Sequence, residues 1–377
     1  MRGGTSKGVF FLASDLPSDK EARDRILLRV IGSPDPYGKQ IDGMGGATSS
    51  TSKVVIVSKS TRSDCDVAYL FGQVAIDAPL IDWSGNCGNL TAAVGPFAVT
   101  AGLVSARADG LATVRLWQAN IDKRIIAHVP MRGGGVAETG GFQLDGVAFP
   151  GAEVKLEFID PAGENARAGA LFPTGHEIDL LQVPGLGTPE RAIAATLINA
   201  GNPTIFIDAA SLGLKGTELQ QDINGRADLL ELAEALRSQG AVAMGLAATP
   251  EEATTKRPHT PKIAFVAKPT AYTAANGKRI DPASIDLLAR IFSMGNLHHA
   301  MTGTGAVALA AAAAIPGTIV HRIAPLAAEG TLRFGHPSGT LSLGAEAVNQ
   351  EGQWVIRRVI VSRSARRLME GWVRVPP

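Results

Sequence analysis

The sequence predicts an α+β fold made of two pseudo-repeated domains, and three observations predict it. Forty-three glycines set against 12 Phe, 4 Trp and 3 Tyr suit a sheet-rich chain with many tight turns, not a helical bundle. A length of 377 residues fits two domains better than one, since domains usually run to about 100 to 200 residues. The deciding observation is that three landmarks recur in the same order in the two halves. Arg2 to Gly8 leads into Val9-Phe10-Phe11 as Asn199 to Thr204 leads into Ile205-Phe206-Ile207. Thr51-Ser52-Lys53 stands before the strand pattern Val54 to Ser58 as Thr260-Pro261-Lys262 stands before Ile263 to Ala267. Asn86-Cys87-Gly88-Asn89 opens a helix over Leu90 to Val99 as Ala300 to Gly305 opens one over Ala306 to Ala314. The lysine and the helix-start residue are 34 positions apart in one half (53 to 87) and 40 in the other (262 to 302).

Composition narrows the function. Lys plus Arg (36) nearly balances Asp plus Glu (35), and no run of like charge is long enough to mark a nucleic-acid or anionic-lipid surface. The expected partner is a small molecule, with no nucleic acid and no membrane. Two cysteines, Cys65 and Cys87, form no disulfide framework and fit a reducing cytoplasm. The opening residues lack the apolar core of a signal peptide, and the apolar run Ala306 to Ile315 is too short to span a bilayer and reads as a buried helix.

In order, the Gly-Gly-Thr-Ser turn at Gly3, Gly4, Thr5 and Ser6 feeds a strand and is a place where backbone can approach a ligand. Asp19 to Ile31 has early acidic residues, apolar Ile26, Leu27, Val30 and Ile31, and a Gly32-Ser33-Pro34 stop, the pattern of an amphipathic helix. Asp42 to Ser52 reads as a long, flexible glycine-rich loop that lets Lys53 point into a cleft; its alternative is a solvated surface lysine. Asp66 to Ile76 is a strand pattern. Ala112 to Pro130 and Val154 to Phe158 read as antiparallel strands, with His128 a satisfied core or edge histidine. Phe172 to Gly175 and Val183 to Gly187 punctuate the chain, so the boundary is expected near residue 185, giving domains 1–185 and 186–377, the first joined by the last C-terminal residues.

The chemistry is expected at Cys87. A cysteine at the first turn of a helix has its thiolate favoured by the helix dipole and by free backbone N–H groups. The same groups, on Asn86, Gly88 and Asn89, bind carboxylates. Its alternative is a buried, inert thiol. The second turn, Thr302, Gly303 and Thr304, offers the same N–H groups, and duplicated domains packed face to face would aim both turns at one cleft. Such a site suits a di- or tricarboxylate. Lys262 belongs with it, and Ser338 and Gly339 add hydroxyl and backbone donors or form an ordinary turn. His298-His299, which would diverge on a helix, have no cysteine or acid at ligand spacing, so no metal is expected. Gly43 to Gly46 lacks the context of a dinucleotide fingerprint.

The turns at Cys87 and Thr302 resemble the two catalytic turns of the diaminopimelate epimerase fold, where each supplies a cysteine; Thr302 replaces the second here, which argues against racemisation by two thiols. Met1 to Gly8, Gly32 to Pro36, Ile41 to Gly46, Asn86 to Asn89, Phe334 to Thr340 and Ser362 to Arg366 together resemble the PrpF family across essentially the whole chain. The resemblance implies two epimerase-like domains, each a curved, mostly antiparallel sheet around a central helix. It implies catalysis by Lys53 and Cys87, without a cofactor, in a cytoplasmic isomerase of the 2-methylcitrate cycle in propionate catabolism. Family members are similar to 2-methylaconitate cis-trans isomerases and 4-oxalomesaconate tautomerases; Ile31 to Gln40 and Trp117 to Ile121 look closer to the former. Family members usually carry residues before Met-Arg-Gly-Gly, so a first strand is expected to be missing.

The implied chemistry removes an allylic proton, lets the former double bond rotate in a dienolate and returns the proton. A desolvated neutral lysine serves as base, Cys87 as donor or stabiliser, and helix N-termini and hydroxyls hold the charge. The rival is a non-catalytic partner that binds the acid or docks on an aconitase-like iron-sulfur hydratase. A homodimer stays open.

Overall fold

The structure, a computed structural model of the chain, describes residues 1–162, 171–183 and 191–375. It is a mixed α and β protein with extensive sheet and seven α-helices among the described residues. Two compact units account for the chain, Met1–Glu157 with Ser362–Pro377, and Phe158–Val361. The boundary expected near residue 185 and the turn at 184–187 lie outside the described residues. The division falls earlier because Asp179–Val183 pairs in antiparallel register with Arg191–Ala200, and both strands belong to the second unit.

In the first unit the helix Lys20–Ile31 begins where the Asp19 carboxylate accepts from the Ala22 N–H and ends at Gly32 in the left-handed region (φ 83°). Its apolar stripe, Leu27 and Ile31, packs against Val54, Ile56, Val74 and Ile81. Each such side chain taken fully out of water contributes about 1.5–3 kcal/mol. Val9–Leu12 runs parallel to Lys53–Lys59, which pairs antiparallel with Val67–Val74. Val67–Val74 is parallel to Gly110–Gln118, which forms a hairpin with Lys123–Arg132. Alternation buries Val114 and Leu116 on one strand and Ile125, Ala127 and Val129 on the other. The helix Gly88–Thr100 continues through Pro96 and is buried over most of its length.

In the second unit Asn202–Asp208 is parallel to Lys262–Ala267, which pairs antiparallel with Leu287–Ser293. Leu287–Ser293 is parallel to Thr331–His336, which forms a hairpin with Gly339–Gln350. The helix Gly303–Ala313 is buried at every residue, as its Ala-rich sequence predicts, and starts three residues before the expected Ala306. Each unit carries the same Asp–Arg clamp. In the first, the Asp66 N–H donates to the Arg115 carbonyl, and the carboxylate accepts from the Arg115 N–H at 2.7 Å and its guanidinium at 2.6 Å. In the second, Asp286 and Arg333 make the same three bonds, the latter two again at 2.7 and 2.6 Å.

Two local expectations change. The loop 42–52 is fastened and not flexible. Met44 N–H donates to Val30 O and Gly45 N–H to Ile31 O, and a Cβ on Gly43 would come within 2.3 Å of the Ile31 carbonyl carbon, so only glycine fits there. Gln40 Oε1 also accepts from Ala47 N–H and Ser52 Oγ–H. The stretch Asn199 to Thr204 makes a tight turn at Gly201 (φ 76°) between two paired strands. His298 and His299 follow the strand Asn296–Leu297, and instead of diverging on a helix their rings stack with centroids 4.6 Å apart. Among the described residues no helix is long and apolar enough to cross a membrane.

Candidate active site

Lys53 opens the strand Lys53–Lys59 and is 4% exposed. Strand register sets Lys53 opposite Gln73, and its Nζ donates to Gln73 Oε1 at 2.6 Å. The Gln73 amide is held in turn, donating through Nε2 to Ser49 O at 3.2 Å and Ser52 O at 3.1 Å. Nζ also lies 5.3 Å from the centre of the Phe71 ring. Burial pulls the Lys53 ammonium below its ordinary value, and the charge of Cys87 acts in the opposite direction. A buried amine of this kind is available as a base.

Cys87 is the residue immediately before the helix Gly88–Thr100, with extended backbone (φ −111°, ψ 94°), and its side chain makes no capping bond. The thiol is 8% exposed and its Sγ lies 3.8 Å from Ser6 Oγ. Thr91 fixes the turn beneath it, donating N–H and hydroxyl to Cys87 O at 2.9 and 3.0 Å. Tyr69 completes the support: its hydroxyl donates to Asn86 Oδ1 at 3.1 Å and lies 2.8 Å from Thr91 Oγ1. Burial drives the Tyr69 phenol upward, so it stays a neutral hydrogen-bonding group.

The N-terminal turn closes over this helix start. Gly4 has φ 50°, and a Cβ there would lie 2.4 Å from Asn89 Oδ1. Asn89 donates Nδ2–H to Thr5 Oγ1 at 3.0 Å and accepts from Arg363 Nε at 3.0 Å. Arg363, 2% exposed, also donates to Ser362 O, and burial draws its guanidinium down to about 10 while Cys87 raises it, so it remains a cation at neutral pH. Cys87 is thus the shared electrostatic neighbour of Lys53, Tyr69 and Arg363.

In the second unit Lys262 opens the strand Lys262–Ala267, 3% exposed, with Nζ 3.1 Å from both His259 Nδ1 and Ser293 Oγ. Thr302 precedes the helix Gly303–Ala313, and its hydroxyl accepts from Gly305 N–H at 3.2 Å. This hydroxyl is committed to its cap, in contrast to the Cys87 thiol. Ser338 donates its hydroxyl to His299 O at 2.5 Å, and its N–H goes to His336 Nδ1 at 3.2 Å. The Tyr272 hydroxyl holds the same turn from 2.6 Å at Gly339 O.

A family model described as "PrpF protein" matches residues 1–376. The chain belongs to the PrpF family. This PrpF chain is 60% identical to the 2-methyl-aconitate isomerase of Cupriavidus necator over 384 residues, covering 100% of itself and 96% of that protein. It is 58% identical to the 2-methyl-aconitate isomerase of Shewanella oneidensis, with the same coverage. The crystal structure of methylitaconate-delta-isomerase superposes with a TM-score of 0.74 at 38% identity, over 99% of this chain and 93% of that one.

Within the first unit the PrpF chain gathers Gly3, Gly4, Thr5, Ser6, Lys53, Asn86, Cys87, Gly88 and Asn89. Within the second it sets Lys262 at a strand mouth, and Ser338 against the carbonyl of His299, three residues before Thr302. Sequence reasoning gave no role to Gln73, Arg363, His259 or Ser293. A glutamine in the otherwise apolar Val67–Val74 strand was the available signal for the first. Arg363 stood inside a recognised motif, but its partner Asn89 is 274 residues away. Cys65 is buried at a turn closed by its N–H on Arg62 O, and burial pushes its thiol up.

Proposed function

We propose that this protein is an isomerase of an unsaturated tricarboxylate, interconverting cis- and trans-2-methylaconitate by allylic proton removal and return. Identity of 58–60% over the full chain to two 2-methyl-aconitate isomerases supports the substrate. The observation that carries the mechanism is the Lys53 amine, buried, lowered in pKa and bonded to a neutral amide oxygen.

Neutral Lys53 takes a proton from the allylic carbon and becomes an ammonium. The electron pair left behind spreads through the double bond to a carboxylate, and the former double bond gains single-bond character and rotates. Proton return from Lys53 or from the Cys87 thiol fixes the other isomer. Gln73 sets the direction of the Lys53 amine. Arg363, through Asn89, places positive charge behind the Cys87 turn, where it suits a substrate carboxylate. Backbone N–H groups of Gly88 and Asn89, at the first turn of the helix, suit a substrate carboxylate.

The two units are read as pseudo-repeats of diaminopimelate epimerase-like type, supported by their common order of strand pairings and by the paired Asp66–Arg115 and Asp286–Arg333 clamps. Within the second unit, Lys262, Thr302, Gly303, Thr304, Ser338 and Gly339 are read as acid-binding groups, supported by a buried amine at a strand mouth and a helix start of the same kind as at Cys87. Proton NMR of the enzyme with 2-methylaconitate and, separately, with 4-oxalomesaconate tests the assignment. Isomerisation of the former supports it; turnover of 4-oxalomesaconate alone assigns the tautomerase branch instead.

A further inference from the structure

We propose that Asn120 is a positioning residue that holds the Cys87 turn in place relative to Lys53, an inference that rests on the reading that these two groups act on one substrate. The strand Val67–Val74 serves both of them. Alternation puts Tyr69, Phe71 and Gln73 on one face, all of them buried. Gln73 accepts from Lys53 Nζ at 2.6 Å, and the Phe71 ring centre lies 5.3 Å from the same nitrogen. The Tyr69 hydroxyl donates at 3.1 Å to Oδ1 of Asn86, the residue before Cys87. One strand is thus the common support of the amine and the thiol.

The two edges of that strand are covered differently. One pairs without interruption with Lys53–Lys59. The other is parallel to Gly110–Gln118 from Val67 to Tyr69 and antiparallel to Ile81–Asp82 at Gln73 and Val74, which leaves Phe71 between two neighbours. Asn120 fills that gap. Its Oδ1 accepts from the Phe71 N–H at 2.8 Å and its Nδ2 donates to Phe71 O at 3.0 Å, so a side-chain amide does for Phe71 what a strand backbone would. The second Nδ2–H goes to Trp83 O at 2.8 Å. Trp83 begins the segment that leads from Ile81–Asp82 into Cys87.

The amide is held in one orientation. Two carbonyls require its NH2 end and the Phe71 N–H requires its oxygen, to which Gln118 Nε2 also donates, so every donor and acceptor of Asn120's side chain is engaged. Gln118 is fully buried and fixed in turn, its Oε1 accepting from the N–H groups of Asn120 and Ile121 at 3.0 Å each. The Ala119 N–H donates to Tyr69 O at 3.0 Å. The stretch Trp117 to Ile121 therefore clasps the strand that orients Lys53 to the segment that delivers Cys87. Without Asn120 the thiol is free to shift against the amine, and a misplacement of about 1 Å costs on the order of a hundredfold in rate. Asn89 is held separately by Thr5 and Arg363, so the carboxylate seat does not depend on the clasp.

The test compares the parent with Asn120→Ala and Asn120→Asp, each checked for folding by thermal melting. The aspartate keeps the size and the acceptor but loses both donors to Phe71 O and Trp83 O. Both variants are expected to lower kcat for 2-methylaconitate roughly ten- to hundredfold while KM moves by less than about threefold. A second measurement needs no turnover: alkylation of Cys87 by iodoacetamide, mapped by peptide mass, with the other buried thiol, Cys65, as internal control. Release of the turn should speed Cys87 several-fold and leave Cys65 at its parent rate, whereas general loosening of the fold speeds both. Should Asn120→Ala not fold, Asn120→Ser, whose hydroxyl still bonds one strand group, is read in the same way. A kcat within about twofold of the parent, a loss confined to KM, or cysteine reactivities that stay unchanged or rise in parallel overturns the proposal. A parent that isomerises no acid defeats the underlying reading instead, and the alkylation rates then still decide whether Asn120 holds the Cys87 turn.

Discussion

Lys53 and Gln73 stand directly opposite one another on neighbouring antiparallel strands, and the amine donates to the amide oxygen at 2.6 Å. The partner is neutral, which decides the chemistry. A carboxylate at that distance would lock the amine in its charged form, whereas an amide orients it and leaves burial to lower its pKa.

Gln73→Glu keeps size and shape and adds the charge. It is expected to raise the Lys53 pKa, move the acid limb of the kcat/KM profile to higher pH and lower activity at neutral pH by about tenfold for each pH unit of displacement. A pH profile of the variant beside the parent checks this; an unmoved limb counts against Lys53 as the base.

The same lowered pKa links stability to pH. Between the depressed folded value and the ordinary 10.5 the unfolded chain binds more protons than the folded one, so the parent gains stability as pH rises through that window. Lys53→Met removes the dependence. Its stability relative to the parent should be greatest below the window, shrink through it and be least above pH 10.5, as urea unfolding of both proteins at neutral and alkaline pH would reveal.

Cys87 and Thr302 occupy the same position at the start of their helices, but only Thr302 caps its helix with its side chain. Thr302→Ala should therefore cost about 1 kcal/mol of stability through the lost cap. Cys87→Ala loses no such bond, yet should reduce kcat by about a hundredfold or more as a proton-transfer group disappears. Denaturation curves and turnover measured on both variants separate the two effects.

Gly4→Ala would force a side chain onto Asn89 Oδ1, the atom that accepts from Arg363, at a backbone angle L side chains rarely adopt. A destabilisation of about 1–3 kcal/mol is expected, with reduced activity because the Cys87 turn loses its cation. Calorimetric melting and steady-state rates would record it.

What was legible in the chain was what local rules govern. Asp19 and Gly32 announce their helix, and a thiol or hydroxyl before a helix and a lysine before a strand can be recognised within a few residues. Gln73 and Arg363 could not be, because register and chain return bring them to Lys53 and Asn89 from 20 and 274 positions away. The loop 42–52 misled because its composition reports backbone freedom, while Gly43 and Gln40 use that freedom to fasten it to the end of a helix. The boundary near residue 185 followed turn residues, but strand pairing decides which unit a segment joins.

The most direct test of the central claim is proton NMR of 2-methylaconitate with the enzyme in deuterated water, comparing the parent with Lys53→Ala. Isomerisation accompanied by deuterium entering the allylic carbon, both lost in a folded Lys53→Ala, is the predicted result. Isomerisation that persists in Lys53→Ala at the parent rate would contradict proton transfer through Lys53.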